Sequence, residues 1–577
     1  MTMSRTRRWA VPGYALALAI IITAPLWAPG YLLLRDAVST PRSYLSDAAL
    51  GLTEAAPRAL PQDFAIALAS HLVDGGVVVK VLLLAGLWLA GWGAGRLTAQ
   101  VLPAAGLAGQ FVAATVAIWN PYVAERLLQG HWSLLVGYGA LPWVALIVLR
   151  LRAGDVGRLG GLSGLAFWIA LAGLTPTGLL LAAIVALVCV AVPGGGRPRW
   201  LCAVAAVVFS ALGALPWLVA SAVTASLSAY QASGVPGVGA FAARAEPGLG
   251  TLGSLAGLGG IWNAEAVPSS RSTVFAIVAT AVLLAVVAAG VPAVIRRRTA
   301  WPLLALALAA VVLPALMASG PGLTALRAVV GAVPGLGVLR DGQKWVALAM
   351  PAYALAAGGA VLTMKRLRPA LPSAVAAVAC CAVVVLTLPD LAWGVAGRMT
   401  AVRYPPGWSE VAEQINADPR PVAVLPADSM RQFRWSGPAP VLDPLPRWIR
   451  ADVLTTGDLT ISGHAVLGEG AHARAVQELL LAGADPDRLR AAGVGWVVVE
   501  SGTGGETASA ATTLAALPVT YRDTDITLYR VGGAAPNPSS TRRNEVTAAH
   551  LIWLATLVLG AAGMASVRLA QTRPLTR

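Results

Sequence analysis

Twelve stretches of this chain are apolar over lengths that suit a bilayer, and no other feature restricts its fold as much. They lie near 12–34, 76–95, 103–119, 133–150, 159–174, 177–193, 200–222, 273–294, 300–318, 343–363, 370–392 and 547–567. About 20 such residues carry a helix through hydrocarbon. The 577 residues are 57% hydrophobic and 12% charged, with mean hydropathy +0.70, more apolar surface than a soluble domain can bury. The expected fold class is therefore an α-helical polytopic membrane protein with about 12 transmembrane helices.

A formal charge of +15 raises the question of a nucleic-acid partner. The basic residues answer it by their position. Arg5, Arg7 and Arg8 precede the first stretch, and Arg150, Arg152 and Arg158 follow the fourth. Arg197 and Arg199, then Arg296–Arg298, then Lys365, Arg366 and Arg368, and finally Arg568, Arg573 and Arg577 repeat the pattern. With twelve crossings every cluster falls on one side. The positive-inside rule makes that side cytoplasmic, with both termini inside, and no nucleic acid is expected. The basic, apolar N-terminus reads as an uncleaved first span, its run being too long for a signal peptide. Cys189, Cys202, Cys380 and Cys381 sit in or beside apolar runs without a CxxC or Cys/His spacing. Neither a disulfide framework nor a zinc site is indicated.

The same topology sends residues 35–75, 120–132, 223–272 and 319–342 to the extracytoplasmic side of a transmembrane domain over 1–392. DFAIALASHLV (Asp63–Val73) has helical apolar spacing and predicts a helix on the membrane surface. From 393 to 545 charge rises and apolar runs shorten. PVAVLP (Pro421–Pro426), VGWVVVE (Val494–Glu500) and ITLYRV (Ile526–Val531) predict strands. Ala471–Ala484 and Asp485–Gly493 predict helices, the second with an Asp N-cap and a Gly stop. This is a C-terminal extracytoplasmic α/β domain, followed over 546–577 by a last span and a cytoplasmic tail. It carries no Ser-x-x-Lys, G-x-S-x-G, H-E-x-x-H or phosphate loop, and its GTGGET (Gly502–Thr507) reads as a turn.

Three outer clusters carry candidate chemistry. Arg35 and Asp36 stand where the first span leaves the membrane, and charges there are costly unless paired or used. Asp36 is the candidate general base, with Arg35 holding it ionised or binding phosphate; the plain alternative is an interfacial ion pair that ends the span. Glu125, Arg126, Gln129 and His131 crowd a short loop beside Trp119, Tyr122 and Trp132. Arg126 and Gln129, three apart, share a helical face. The aromatic residues read first as a membrane-interface belt and second as a sugar-contacting surface. In LRDGQKW (Leu339–Trp345), Arg340 and Lys344 are two cations four apart on the outer side, a spacing that suits an intervening phosphate. The alternative pairs Arg340 with Asp341 and lets Lys344 snorkel. Asp341 and Gln343 are accessory candidates with Glu125 and Gln129. Arg42, Asp47, Glu54, Arg58, Asp63 and His71, and Glu246, Trp262, Asn263 and Glu265, complete a cleft or are solvated.

This layout resembles the C-type (GT-C) superfamily of membrane glycosyltransferases. RDAVSTPRSYLSD occupies the place of the acidic motif after the first span, and DFAIALASHLV that of a surface helix. LRDGQKW, YPPGWSEVAEQINADPRPVAVLP and PVTYRDTDITLYRVGG look like the late part of uncharacterised actinobacterial relatives, and the Ala-, Gly-, Val-, Leu- and Arg-rich composition fits a high-GC genome. Asp36 has Arg35 beside it where the superfamily commonly has a second acid. The resemblance implies a polyprenyl-phosphate-linked sugar donor, a glycan or glycolipid acceptor and inversion at the anomeric carbon. Mannose and arabinofuranose are the implied sugars, and membrane lipid is the implied setting. Some relatives use a divalent metal; the residues here show no site for one. A flippase for a lipid-linked sugar, or an envelope scaffold, are the other classes. A flippase calls for mid-span ionisable residues and internal repeats, whereas Lys80 and Arg96 lie near span ends and no repeat is visible.

Overall fold

Each of the twelve apolar stretches is helical over most of its length in the computed structural model. The model describes residues 5–54, 59–225, 236–333, 336–461, 464–504, 507–534 and 539–572. The count of twelve spans does not carry over directly. Eight helices among the described residues are long and apolar enough to cross a bilayer. A ninth is a pair, Ser373–Leu386 and Pro389–Gly397, bent by 75°. Arg158–Ala172 and Pro176–Val190 are shorter, and Gly106–Ile118 has 13 residues. Prolines and glycines end these apolar runs early, which hydropathy averaging does not register.

Small residues let the helices approach closely. Gly75–Val101 packs on Trp132–Ala153, and a Cβ on Gly139 would sit 2.2 Å from the Gly86 carbonyl oxygen. The 22 residues of Trp132–Ala153 span about 33 Å, close to a hydrocarbon thickness. One end of this helix is His131; the other carries Arg150 and Arg152. At that second end Arg152 donates to the Val192 carbonyl at 3.0 Å and to that of Arg197, so two basic clusters meet there. Gly342–Leu367 likewise runs from Lys344 to Lys365 and Arg366. Lys80 donates to the Ala28 and Gly30 carbonyls at 3.0 and 2.7 Å.

After Arg5–Thr23 the chain does not continue as a helix to residue 34. A 3-10 turn, Ala24–Trp27, leads into strand Tyr31–Leu34, which pairs with Ala37–Val38 and with Ala401–Val402. Asp36 therefore stands on a hairpin turn, not on a helix end.

The late part of the chain forms a five-stranded sheet in the order Val519–Arg522, Ile526–Arg530, Trp496–Glu500, Val422–Leu425, Val453–Leu454. Val422–Leu425 is apolar throughout because both faces are covered. Val422 and Val424 enter a core with Trp408, Ile415 and Trp448; Ala423 and Leu425 enter another with Val476, Leu480 and Leu489. Asp485 caps Pro486–Ala491, and Gly493 (φ 84°) follows it. Gly502 and Gly504, with φ of 69° and 75°, make the expected turn.

The first loop clasps this late part. Asp63 pairs with Arg447 at 3.1 Å, Asp47 with Arg543, and Glu54 accepts from the His472 amide at 3.0 Å. Arg42 meets His71 Nδ1 at 2.6 Å. Arg58 lies outside the described residues. The surface-helix segment is a shorter helix, Gln62–Ala69, that buries Phe64, Ile66 and Ala67.

Candidate functional site

Asn120 starts the key element. Its side chain caps helix Pro121–Leu128 by accepting from the Val123 amide at 3.1 Å, with Pro121 at the first position. Successive turns then present Tyr122 and Arg126 on one face and Glu125 and Gln129 on the next. The helix stops at Gly130 (φ 82°), where a Cβ would lie 2.3 Å from the Ala37 amide nitrogen and the Leu34 carbonyl oxygen. Only glycine lets this loop touch the Asp36 turn. The Asp36 amide donates to the Gln129 carbonyl at 3.2 Å.

The side chains form one connected network. Asp36 Oδ2 lies 2.8 Å from His131 Nε2 and accepts from Gln129 Nε2 at 3.2 Å. No hydrogen bond reaches Oδ1 from the described residues. His131 Nδ1 is 3.1 Å from Arg126 Nη1. Arg126 grips Asp341 with both terminal nitrogens, at 2.8 and 3.0 Å, and also donates to Gln343 Oε1. Gln343 Nε2 donates to Glu125 Oε2 at 2.9 Å. The Gly260 and Ile261 amides, both at 3.1 Å, complete the Glu125 carboxyl. Asn263 Nδ2 donates to Gln129 Oε1 at 2.8 Å, and Lys344 Nζ stands 3.7 Å from Asp341.

Exposure divides the network. The side chains of Asp36, Lys344 and His131 are 32%, 24% and 16% exposed, whereas that of Arg126 is fully buried. The mouth is thus a carboxylate, an imidazole and an ammonium, held from behind by a buried Arg–Asp pair. Burial works against ionisation of Asp36, but His131, Gln129 and Lys344 outweigh it and hold the carboxyl below its ordinary value. Asp341 is held well below its own, Arg126 and Lys344 overcoming burial. Glu125 is pushed up to about 8, by burial first and the nearby charge of Glu246 second.

Several expectations need correction. Arg35 does not pair with Asp36. In the left-handed region (φ 49°), it turns away and donates to the Leu128 and Glu265 carbonyls at 2.7 and 3.1 Å. Its own backbone bonds to Pro440 and Leu442. Arg340 does not share a helical face with Lys344, because the segment Gly342–Ala349 is a 3-10 helix that begins after it. Its guanidinium lies 5.1 Å over the Phe241 ring, and Asp341 goes to Arg126 instead. Trp119, Tyr122 and Trp132 are neither a belt nor a sugar surface. They are at most 3% exposed, and the Tyr122 ring lies 5.6 Å from the Arg126 guanidinium. Asp36, Glu125, Arg126, Gln129, His131, Asp341, Gln343 and Lys344 do converge. The reading missed the backbone of Gly260 and Ile261, for which GLGG (Gly257–Gly260) was the available signal. Glu246 is buried against Arg271, and Glu265 is mostly exposed. Among the described residues no three His, Cys, Asp or Glu side chains converge to hold a metal ion.

No protein-family model and no curated protein matches the chain. Two solved structures share its fold. Both are single-particle cryo-EM structures of the arabinofuranosyltransferase AftD from Mycobacteria, class 2 and class 1 of one mutant. Their TM-scores are 0.57 and 0.51 at 18% and 17% identity. Each match covers 92% of this chain and 42% of the other, so this chain spans about two-fifths of that protein's length. The likeness establishes a helical fold shared with those structures over most of this chain.

Proposed function

We propose that this protein is a membrane glycosyltransferase with Asp36 as general base. It moves a sugar from a polyprenyl-phosphate donor to a glycan or glycolipid acceptor at the outer face of the cytoplasmic membrane. Residues 393–545 are then an extracytoplasmic module, between a transmembrane domain over 1–392 and a last span with a cytoplasmic tail over 546–577. The fold shared with an arabinofuranosyltransferase supports the class, and arabinofuranose is the first sugar to try.

One observation carries the reading. The Asp36 carboxyl is held below its ordinary value, its Oδ2 is tied to His131 and Gln129, and its Oδ1 makes no hydrogen bond with the described residues, which suits it to take a substrate hydroxyl. In the reaction Oδ1 takes the acceptor proton as the acceptor oxygen bonds to the anomeric carbon. The bond from that carbon to the phosphate oxygen breaks, and its electron pair leaves with polyprenyl phosphate. Lys344 stabilises the charge that develops there. Arg126 is too deep, and Arg35 too fully engaged, for that role.

Transfer of labelled sugar from a polyprenyl-phosphate donor by the protein in lipid nanodiscs tests the reading. Lys344→Met removes a charge-assisted contact of about 1.5–3 kcal/mol and should lower kcat/KM for the donor about 10–100-fold. An unchanged kcat/KM would remove Lys344 from the donor site. Flipping of the lipid without transfer would move the protein to the transporter class.

The pH dependence follows from the sign of the Asp36 shift. Its carboxyl is held below the ordinary value of about 4, so the base form persists as pH falls through that range. The pH profile of kcat/KM should be level from neutral pH down to about 4, and lost only below it. An acid limb near pH 6 would contradict an Asp36 base in this setting.

A further inference from the structure

We propose that Arg126 is a positioning residue that fixes the tautomer of His131, so that the ring always offers its Nε2 proton to Asp36. This rests on the reading of Asp36 as the base.

The argument starts from what each group is able to do. A guanidinium donates, never accepts, and does not lose its proton in a protein. With Arg126 Nη1 at 3.1 Å, His131 Nδ1 must be the acceptor, which leaves the single proton of a neutral ring on Nε2. Nε2 faces Asp36 Oδ2 at 2.8 Å, and a carboxylate oxygen is an acceptor. The two ends of the ring are therefore chemically assigned by their neighbours. Arg126 is not free to swing away. Asp341 holds both its terminal nitrogens, Gln343 takes a further bond, and the Tyr122 ring lies alongside.

Protonating the ring would set an N–H against an N–H and add a third cation beside Arg126 and Lys344. The charged groups around the ring are Asp36 from the hairpin turn, Arg126 and Glu125 from helix Pro121–Leu128, and Asp341 and Lys344 from the 341–349 segment. Burial lowers the His131 pKa first, Lys344 and Arg126 act in the same direction, and the carboxylates of Asp36 and Asp341 oppose them without prevailing. The neutral ring with its proton on Nε2 does two things. It steadies Oδ2 with a donor that is uncharged at neutral pH. It also refuses the proton that Asp36 takes from the acceptor, since Nε2 is filled and Nδ1 is blocked. That proton leaves Asp36 to water after product departs.

The test uses the full chain in lipid nanodiscs with ¹⁵N-labelled histidine. The protein has 5 His, and the difference from His131→Gln assigns the signal of interest. The expected spectrum shows a pyridine-type Nδ1 and a pyrrole-type Nε2, unchanged from about pH 8 to about pH 6. In R126M/D341N, which removes the N–H that faces Nδ1 together with its buried partner, the ring should take up a second proton at a higher pH than in the wild-type protein. Transfer by that variant should show an acid limb displaced to higher pH than that of the wild type, with kcat about tenfold lower. An imidazolium or an Nδ1–H ring in the wild-type protein overturns the proposal. So does a double variant with the wild-type spectrum and pH profile. Should the double variant not fold, the wild-type spectrum alone decides. The expected spectrum together with a fully active Asp36→Asn would overturn the base assignment and leave the tautomer lock standing.

Discussion

Replacing Asp36 by Asn should lower sugar transfer about 10²–10⁴-fold, the usual contribution of a general base. The change is nearly isosteric, so the turn, the protein level and the donor KM should stay as they are. The amide keeps an oxygen for His131 Nε2–H. It cannot accept a proton at the Oδ1 position, where Asp36 makes no hydrogen bond with the described residues. The measurement is incorporation of labelled sugar, with kcat and KM separated. A variant within threefold of wild type would return the protein to the scaffold or flippase class. A variant that loses donor binding instead would make Asp36 a substrate-binding residue.

The second large effect concerns a pair outside the mouth formed by Asp36, His131 and Lys344. Arg271 and Glu246 are 1% and 0% exposed at their side chains. Arg271 Nε donates to Glu246 Oε1 at 3.0 Å, Nη2 reaches Oε2, and Nη1 donates to Thr280 at 2.9 Å. Arg271→Met leaves the Glu246 carboxylate buried beside Glu125. The expected cost is about 3–5 kcal/mol of stability, because the penalty is that of an unpaired buried charge. The double variant E246Q/R271M should recover most of it. Thermal unfolding of the purified protein measures both, and equal midpoints for the single and double variants would contradict the account. The single variant should also lose activity, since this pair folds the segment whose Gly260 and Ile261 amides hold Glu125.

These residues also show where sequence reading works and where it stops. Apolar runs announce helices because transfer from water acts on each residue locally, so all twelve stretches were legible. Their lengths were not, since a 75° bend at Pro389 or a strand at Tyr31 costs little in average hydropathy. The candidate residues were legible for a related reason. A charge among apolar neighbours is expensive, and Asp36, Arg126, His131, Asp341 and Lys344 all stand out against theirs. Their partners were not legible. Arg126 and Asp341 are 215 positions apart, and a local rule hands Asp341 to Arg340. Arg35 was misread in the same way, as the partner of its neighbour, although a φ of 49° turns it toward Leu128. Helical spacing placed Arg126 and Gln129 together, yet burial sends one to Asp341 and the other to Asp36.

The hairpin that carries Asp36 is bridged to Val441 through Arg35 and paired with Ala401–Val402. Some 400 positions separate Arg35 from Val441 along the chain. At about 5–20 residues per second the ribosome delivers the second partner roughly 20–80 s after the first. Throughout that interval a nascent chain already holds its acid but not the strand that seats it. The seat of this acid is thus completed only after the late module that carries Val441 has been made.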